Sequence, residues 1–176
     1  MTRSDLDKIP EATRWQVCAR LLAKLPLLYD ITYRPAVGED YDTLEHPIWI
    51  EMAREAKDLA DAFRLPRSTA GELASTLSVL GSALFGQDFQ FEPLVDAEER
   101  ATLRVRRGPF SEEADLLEIS HTLLPDRCLA FTIPLIETLN PAFTLRYVRA
   151  ACAGDRACEL KVMSRDEAKV EDAASA

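Results

Sequence analysis

Apolar residues recur at helical spacing in the first part of the chain. Within residues 10–28, the side chains three or four positions apart are Trp15, Cys18, Leu22 and Leu25. Residues at this spacing lie on one face of an α-helix. Pro26 lacks an amide hydrogen and weakens a helix that contains it. We therefore predict that the helix ends near residue 28.

The segment from Thr43 to Leu65 carries the longest apolar stripe. Its members are Ile48, Trp49, Met52, Ala56, Leu59, Ala60 and Phe63. Pro47 sits near the first turn, where a helix tolerates the missing N–H. The pattern predicts a helix over 43–65 whose stripe packs into a core.

A third helix is predicted after Pro66. Ser68 or Thr69 can cap it, and Glu72 stands three residues after Thr69, as in a capping box. Its apolar stripe consists of Leu73, Leu77, Leu80 and Leu84. Gly86 is expected to end the helix, because glycine is the usual residue just past a helix C-terminus.

From about residue 87, apolar and polar residues alternate, so the period of the hydrophobic pattern changes to two. Phe89 and Phe91 alternate with polar neighbours, and Leu103 and Val105 alternate with arginines. Such alternation is typical of strands with one buried face. We predict one β-hairpin over 87–107 and a second over 143–163, whose turn is residues 153–157.

Two helices are predicted between the hairpins. Ser111 caps the first, over 111–124, and Pro125 stops it. The second is kinked by Pro134 and presents the apolar face Cys128, Phe131, Leu135 and Leu139. The predicted fold class is therefore α+β, with a helical N-terminal half packed on an antiparallel sheet built from two hairpins. We expect a single domain over 1–163 and a flexible tail over 164–176.

Composition narrows the range of functions. The 176 residues carry a formal net charge of −9, which disfavours nucleic acid as a partner. No apolar run approaches the ~20 residues that span a bilayer, so no membrane partner is expected. The N-terminal residues are polar rather than a signal sequence, and a cytoplasmic location is the expectation.

Three of the four cysteines lie in the last third of the chain. Cys152 and Cys158 would face each other across the second hairpin, as buried thiols, a disulfide, a redox pair or half of a zinc site. Cys128 is the natural third zinc ligand, and the conceivable completions are Glu118, His121 and Glu159. The spacing C-x5-C is longer than the usual zinc knuckle. Zinc is therefore an alternative cofactor rather than the favoured interpretation.

A catalytic pair is the sharpest chemical hypothesis for this region. His121 and Cys128 are seven positions apart and would share one face of a continuous helix, as a Cys–His nucleophile pair requires. The alternative is a partly buried, hydrogen-bonded His121, which Pro125 favours by interrupting the helix. The sequence contains no G-x-S-x-G elbow, P-loop, G-x-G-x-x-G or H-E-x-x-H motif.

Arginines on the two hairpins form a candidate anion site. They are Arg104, Arg106, Arg146 and Arg149. Guanidinium groups bind carboxylates and phosphates through paired hydrogen bonds. If the hairpins pair with matching faces, Arg104 or Arg146 could hold an acidic group of a ligand.

The segment VRAACAGDRACEL, residues 148–160, resembles the closing hairpin of the vinyl-4-reductase-type ligand-binding domains. It is similar as well to the small proteins related to L-2-amino-thiazoline-4-carboxylate hydrolase. The shared feature is a Gly-Asp/x-x-Cys ending, here Gly154, Asp155 and Cys158. In pattern the resemblance covers residues 45–163, a ligand-binding-like core that follows a helical extension over 1–44.

The resemblance implies an α+β protein that is often dimeric, so a homodimer is expected, with an apolar pocket between helices and sheet. Sensor members of the group bind small aromatic compounds and hold a zinc with three cysteines and a glutamate. Cys158 matches the final zinc ligand, but Ala150 and Tyr147 occupy the positions of the preceding cysteine and the glutamate. The hydrolase-like proteins often carry a cysteine near a Gly-Pro pair, and Arg104 to Phe110 contains none.

Three functions are compatible with these observations. The leading hypothesis is a protein that binds a small apolar or aromatic molecule, with or without a carboxylate. The second is a hydrolase of a cyclic amide-like or thiazoline substrate that uses Cys128 or Cys158 with His121. The third is a structural or partner-interaction subunit. For the leading hypothesis, the candidate ligand-binding residues are Trp49, Met52, Phe89, Phe91, Phe131, Phe143 and Tyr147, with Arg104, Arg146 or His121 as polar anchors.

Overall fold

The computed structural model describes residues 6–86, 89–97, 99–108, 110–120, 124–149 and 158–175. Helix α1 spans Glu11–Val37, and a 3-10 turn over Gly38–Asp40 joins it to α2, Tyr41–Ala62. The predicted end of α1 near residue 28 is wrong, because Pro26 and Pro35 both lie inside the helix. Pro26 cannot donate a backbone hydrogen bond within the helix. The burial of Leu27 and the ion pair between Arg34 and Asp30 offset this loss and stabilise the helix beyond Pro26.

The apolar stripe predicted for this segment lies on the inner face of helix α2, with two exceptions. Trp49, Ala56 and Ala60 are buried, whereas Ile48 and Phe63 are largely exposed. Ile48 lies next to Trp49 along the chain and therefore about 100° around the helix from it. The face that carries Ile48 borders the space between α1 and α2.

Helix α3, Ala70–Phe85, begins with the predicted capping box. The amide of Glu72 donates to Oγ1 of Thr69 at 3.2 Å, and the amide of Thr69 donates to Oε2 of Glu72 at 3.3 Å. Gly86 follows the helix with φ of 91°, which only glycine adopts at little cost. Both predicted boundaries of this helix are confirmed.

The four strands form one antiparallel sheet. They are β1, Gln90–Ala97; β2, Arg100–Arg107; β3, Phe143–Arg149; and β4, Cys158–Ser164. The strand order is β1-β2-β4-β3, so the two predicted hairpins pair through β2 and β4. Leu103 opposes Leu160 and Arg104 opposes Glu159 in that pairing. The α+β prediction, with a sheet built from two hairpins, is confirmed.

Two helices connect the hairpins. Helix α4, Ser111–Leu116, is much shorter than the predicted 111–124, because Glu118 adopts the left-handed region with φ of 55°. Helix α5, Leu124–Leu139, continues through Pro134 and buries Phe131 and Leu135 as predicted.

The core lies between the inner face of the sheet and helices α3 and α5. Leu103, Leu145 and Leu160 of the sheet are buried, as are Leu77 of α3 and Leu135 of α5. An aromatic cluster closes the end of this core toward α2. Its rings belong to Trp49, Phe85, Phe89, Phe110 and Phe131.

Residues predicted to form a flexible tail instead form helix α6, Arg165–Ser175, against the outer face of the sheet. Lys161 of β4 donates to Glu167 at 3.1 Å and to Glu171 at 2.6 Å. Ala168 is buried on the inner side of the helix. Contacts to β3 and β4 therefore order a segment whose composition alone favours a solvated coil.

Candidate functional site

An apolar groove runs between α1 and α2. It encloses about 550 Å³, within the ~300–1,000 Å³ of typical ligand pockets. Its lining residues are Leu22, Leu25, Pro26, Tyr29, Tyr33 and Val37 of α1, and Tyr41, Leu44, Glu45, Ile48, Trp49 and Met52 of α2. Glu45 is the one ionisable carboxylate among them.

The groove exists because α1 has two apolar faces. Ala23 and Leu27 point into the core, whereas Leu25 and Tyr29 each lie two positions further along and remain exposed. Two positions correspond to about 200° around a helix, so the two sets face opposite ways. Exposed apolar side chains recur every four residues at Val17, Leu21, Leu25, Tyr29, Tyr33 and Val37. Because four residues turn a helix by about 400°, this row winds slowly around α1. A soluble helix normally carries polar residues on such a face.

A partly buried ion network lies at the end of the groove formed by the C-terminal part of α1. The guanidinium of Arg34 donates to both carboxylate oxygens of Asp30, at 2.7 and 2.9 Å. It also donates to Oδ1 of Asp42 at 2.8 Å. Paired hydrogen bonds of this kind fix both partners in position. The Arg34 guanidinium stacks over the ring of Tyr41, 4.6 Å from the ring centroid.

Arg127 of α5 completes this network from the core side. Its buried side chain forms ion pairs with Asp42 and Glu45 and lies 3.6 Å from Asp30. The contact of Nη1 with Glu45 is a charge contact without hydrogen-bond geometry. The hydroxyl of Tyr41 donates to Oε1 of Glu45 at 3.3 Å. Arg127 therefore ties α5 to the two helices that form the groove.

The network shifts the protonation of its members. Hydrogen bonds from Arg34, with further contributions from Arg127, lower the pKa of Asp42 to about 2. The hydrogen bonds to Asp30 and Asp42 raise the pKa of Arg34. Burial raises the pKa of Tyr41. Asp42 and Arg34 therefore stay charged, and Tyr41 stays a hydroxyl, at neutral pH.

A second, smaller cavity adjoins the groove between α2 and α5. It encloses about 260 Å³ and shares Glu45 and Trp49 with the groove. Its other lining residues are Asp42, His46, Asp126, Arg127, Leu129 and Ala130. Four of its eight lining residues are charged, whereas Glu45 is the one charged residue in the lining of the groove.

The structure places the predicted ligand-binding residues in different environments. Trp49 and Met52 line the groove. The phenylalanines Phe89, Phe91, Phe131 and Phe143 are buried in the core cluster, and Tyr147 packs against it. Their predicted pocket role therefore does not coincide with the groove.

The two predicted arginine anchors lie on the far side of the sheet. Arg104 pairs with Glu159 at 3.3 Å, and Arg146 pairs with Asp172 of α6 at 2.6 Å. The sheet separates both arginines from α1 and α2. The hairpins do pair with matching faces, but the arginines meet carboxylates of the chain itself.

The predicted catalytic and metal-binding residues are only partly described. His121 and Cys152 lie outside the described residues. Cys128 is partly buried on α5, and Cys158 opposes Val105 in the sheet. Within the described part of the chain, no three His, Cys, Asp or Glu side chains have the arrangement of a metal site. The His121–Cys128 pair and the zinc site stay predictions.

Sequence reasoning missed the groove because it ended α1 near residue 28. The signal was present in the four-residue repeat from Val17 to Val37, which continues past Pro26 and Pro35. The ion network had no such signal, since Arg127 is far from Asp30, Asp42 and Glu45 in sequence. Among the helices of the described ranges, none is long and apolar enough to cross a membrane.

Comparison with known proteins identifies the fold alone. No family model matches the chain, and no curated protein matches it. A solved structure with a similar fold is trafficking protein particle complex subunit 3 from Naegleria fowleri, covalently bound to palmitic acid. The TM-score is 0.58 at 13% sequence identity, and the match covers 85% of this chain and 96% of that chain. The two chains thus share an α+β architecture.

Proposed function

We propose that this protein binds a small apolar molecule in the groove between α1 and α2. The observation that carries the proposal is the lining of the groove, in which large apolar side chains such as Tyr33, Leu44 and Ile48 stand open to solvent. Apolar side chains clustered along one open groove are costly in water and mark a candidate binding site.

The size and rigidity of the site support the same function. A volume of about 550 Å³ accommodates a ligand of the size of a medium-chain lipid or a small aromatic compound. Ion pairs of Arg34 and Arg127 join α1, α2 and α5, which supports a groove that is formed in the absence of a ligand. The similar fold of a protein whose structure contains covalently bound palmitic acid is consistent with an apolar ligand.

The proposal is tested with Nile red, a neutral apolar dye whose fluorescence rises in apolar surroundings. We expect saturable binding to the purified protein. Ile48→Glu should weaken it at least tenfold, because the substitution places a charge on the groove wall. The matched control is Val79→Glu on α3. Val79 is 53% exposed and Ile48 is 55% exposed, and Val79 does not line the groove. Absent or non-saturable binding, or equal weakening by both variants, would refute the proposal.

A homodimer is the second candidate function. The exposed stripe of α1, which runs from Val17 to Val37, favours it. The stripe continues past the groove at Val17 and Leu21, which a small ligand in the groove would leave uncovered. A second copy could cover both residues with its own stripe. Sedimentation velocity should then show a dimer that Leu21→Glu dissociates and Val79→Glu preserves. A monomer at all accessible concentrations would exclude this candidate and leave the ligand proposal unaffected.

A further inference from the structure

Three cations from three neighbouring strands lie together on the outer face of the sheet. Lys161 of β4 is directly opposite Arg146 of β3, and Arg100 of β2 is opposite Met163, two positions further along β4. Side chains of directly opposed residues, and of residues two positions apart in a strand, point to the same face. We call Arg100, Arg146 and Lys161 the basic triad.

The basic triad needs anions close to it. Like charges that face each other across two strands destabilise a sheet, and Arg146 and Lys161 form such a pair. Helix α6 supplies the anions, because Asp172 accepts from Arg146 at 2.6 Å and Glu171 accepts from Lys161 at 2.6 Å. Glu167 accepts from two members of the triad. The chain thus places an acidic helix over its own basic site.

Ion pairs provide most of the contact between α6 and the triad. The helix has 11 residues, and an isolated helix shorter than ~12–15 residues is marginal in water. Of residues 165–174, only Ala168 is buried. Solvent and salt weaken exposed ion pairs, and the side chain of Asp172 is 60% exposed. A segment that offers the same charges and more apolar contact would therefore displace α6.

The geometry of the site favours a helical segment over a broad anionic surface. Glu167 and Glu171 are four positions apart and share one face of α6, so the triad contacts carboxylates at helical spacing. Glu159 lies two positions before Lys161 on the same face of the sheet and limits the basic area. The net charge of −9 disfavours approach to a membrane or a nucleic acid.

We propose that the basic triad binds a short acidic helical segment of a partner protein and that α6 occupies this site as an internal competitor when the partner is absent. The partner segment carries carboxylates at the spacing of Glu167, Glu171 and Asp172. Its binding releases α6 from the sheet. This surface is separate from the groove between α1 and α2, and the inference does not depend on a ligand there.

The test uses a fluorescein-labelled peptide that copies residues 165–175. Fluorescence anisotropy at low salt measures its Kd for the full-length wild type and for a full-length variant with Glu167→Gln, Glu171→Gln and Asp172→Asn. In the wild type, the tethered α6 competes at a high effective concentration. The helix of the variant has lost the carboxylates with which it competes. We therefore expect the peptide to bind the variant with a Kd at least tenfold lower than that for the wild type.

Two lysine substitutions in the background of this variant locate the peptide. Lys161→Gln removes the central cation of the triad and should raise the Kd at least tenfold. Lys57→Gln is the matched control, because Lys57 pairs with Asp61 at 2.7 Å on α2 and lies outside the sheet. It should leave the Kd within about twofold of its value in the parent variant, since exposed pairs contribute little. Circular dichroism confirms that each protein is folded.

Hydrogen exchange of the wild type provides a measurement that needs no variant. If ion pairs hold α6, its amides should exchange at least tenfold faster at about 0.5 M than at about 0.05 M NaCl, because salt screens exposed charges. The amides of α3, whose core-facing residues include Leu73 and Leu77, should exchange at the same rate in both. Equal protection of α6 at both salt concentrations would refute its role as a displaceable competitor.

Other outcomes of the peptide experiment would also overturn the inference. They are absence of binding to the variant, equal binding to the variant and the wild type, and equal weakening by Lys161→Gln and Lys57→Gln. A scrambled peptide of the same composition should bind at least tenfold more weakly, because its carboxylates no longer have the helical spacing. If it binds equally well, or if phosphatidylglycerol vesicles displace the peptide, the triad is a general anion site rather than a site for an acidic helix.

Discussion

Arg127 of α5 and Glu45 of α2 form an ion pair in which both side chains are more than nine-tenths buried. Asp30 and Asp42 approach the same guanidinium. Arg127 is therefore the cation that keeps three carboxylates together where α1, α2 and α5 meet. The contact adjoins the groove, because Glu45 also lines it.

Replacement of Arg127 should strongly destabilise the fold. Arg127→Met keeps an unbranched side chain but leaves Glu45 buried without its cation, and such losses cost about 3–5 kcal/mol. Urea denaturation followed by circular dichroism measures the free energy of unfolding. Arg54→Met is the control, because Arg54 pairs with Glu51 at 2.6 Å on the exposed surface of α2. Exposed pairs contribute about 1 kcal/mol or less. Equal losses in the two variants would contradict the structural role of Arg127.

The stability of the protein should depend on pH through Asp42. Its pKa in the folded protein is about 2, below the ordinary aspartate value of 3.8. A carboxyl with a depressed folded pKa contributes stability that is complete above its unfolded pKa and is lost as the pH falls through the folded pKa. The contribution of Asp42 should therefore disappear between about pH 4 and pH 2.

Asp42→Asn tests this dependence. The difference in unfolding free energy between wild type and variant should be constant above pH 5 and should shrink steadily from pH 4 to pH 2. Thermal or urea unfolding at a series of pH values provides the measurement. Asp58→Asn, at an exposed position of the same helix, should show no comparable change. A constant difference across the acid range would show that the Arg34–Asp42 contact is absent in solution.

Gly81 should not tolerate a methyl group. Alanine normally stabilises a helix relative to glycine by about 1 kcal/mol. A Cβ atom at Gly81, however, would overlap the ring of Phe89. Gly81→Ala should therefore lower the free energy of unfolding by about 1–3 kcal/mol.

A double-mutant cycle identifies the cause. Phe89→Leu shortens the side chain that the new methyl group meets, so Gly81→Ala should cost clearly less in that background. Thermal unfolding of the four proteins gives the coupling free energy. Additive effects would mean that Phe89 is not the obstacle.

The N-terminus of α3 should depend on Thr69. Thr69→Ala removes the acceptor for the Glu72 amide and should cost about 1 kcal/mol. For a chain of this size, that corresponds to about 2–4 °C in melting temperature. Thr69→Ser keeps the hydroxyl and should retain most of the stability. An unchanged melting temperature in Thr69→Ala would exclude the capping box.

Local signals in the sequence were sufficient to predict several helices and strands. The capping box at Thr69 and Glu72, the stop at Gly86 and the alternation around Leu103 depend on residues only a few positions apart. Interactions of that range act the same way in any fold. The class of the fold followed from the order of these elements.

Contacts between residues far apart in sequence determined where α1 ends and how the C-terminal segment folds. Pro26 favours a helix end locally, but packing and ion pairs beyond it extend α1 to Val37. The tail has the composition of a coil, yet Glu167 and Glu171 meet Lys161 and a helix forms on the sheet. Neither outcome can be derived from neighbours along the chain.

The candidate site shows the same division. The sequence by itself determined an α+β chain, the capped α3 and the two hairpins. Its candidate ligand-binding residues included Trp49 and Met52, which line the groove. The tertiary structure alone decided that the groove lies between α1 and α2 and that Arg104 and Arg146 face away from it. It also brought Arg127 to Asp30, Asp42 and Glu45. The physical reason is that helical and strand periods are local, whereas burial and charge pairing depend on which distant surfaces meet when the chain packs.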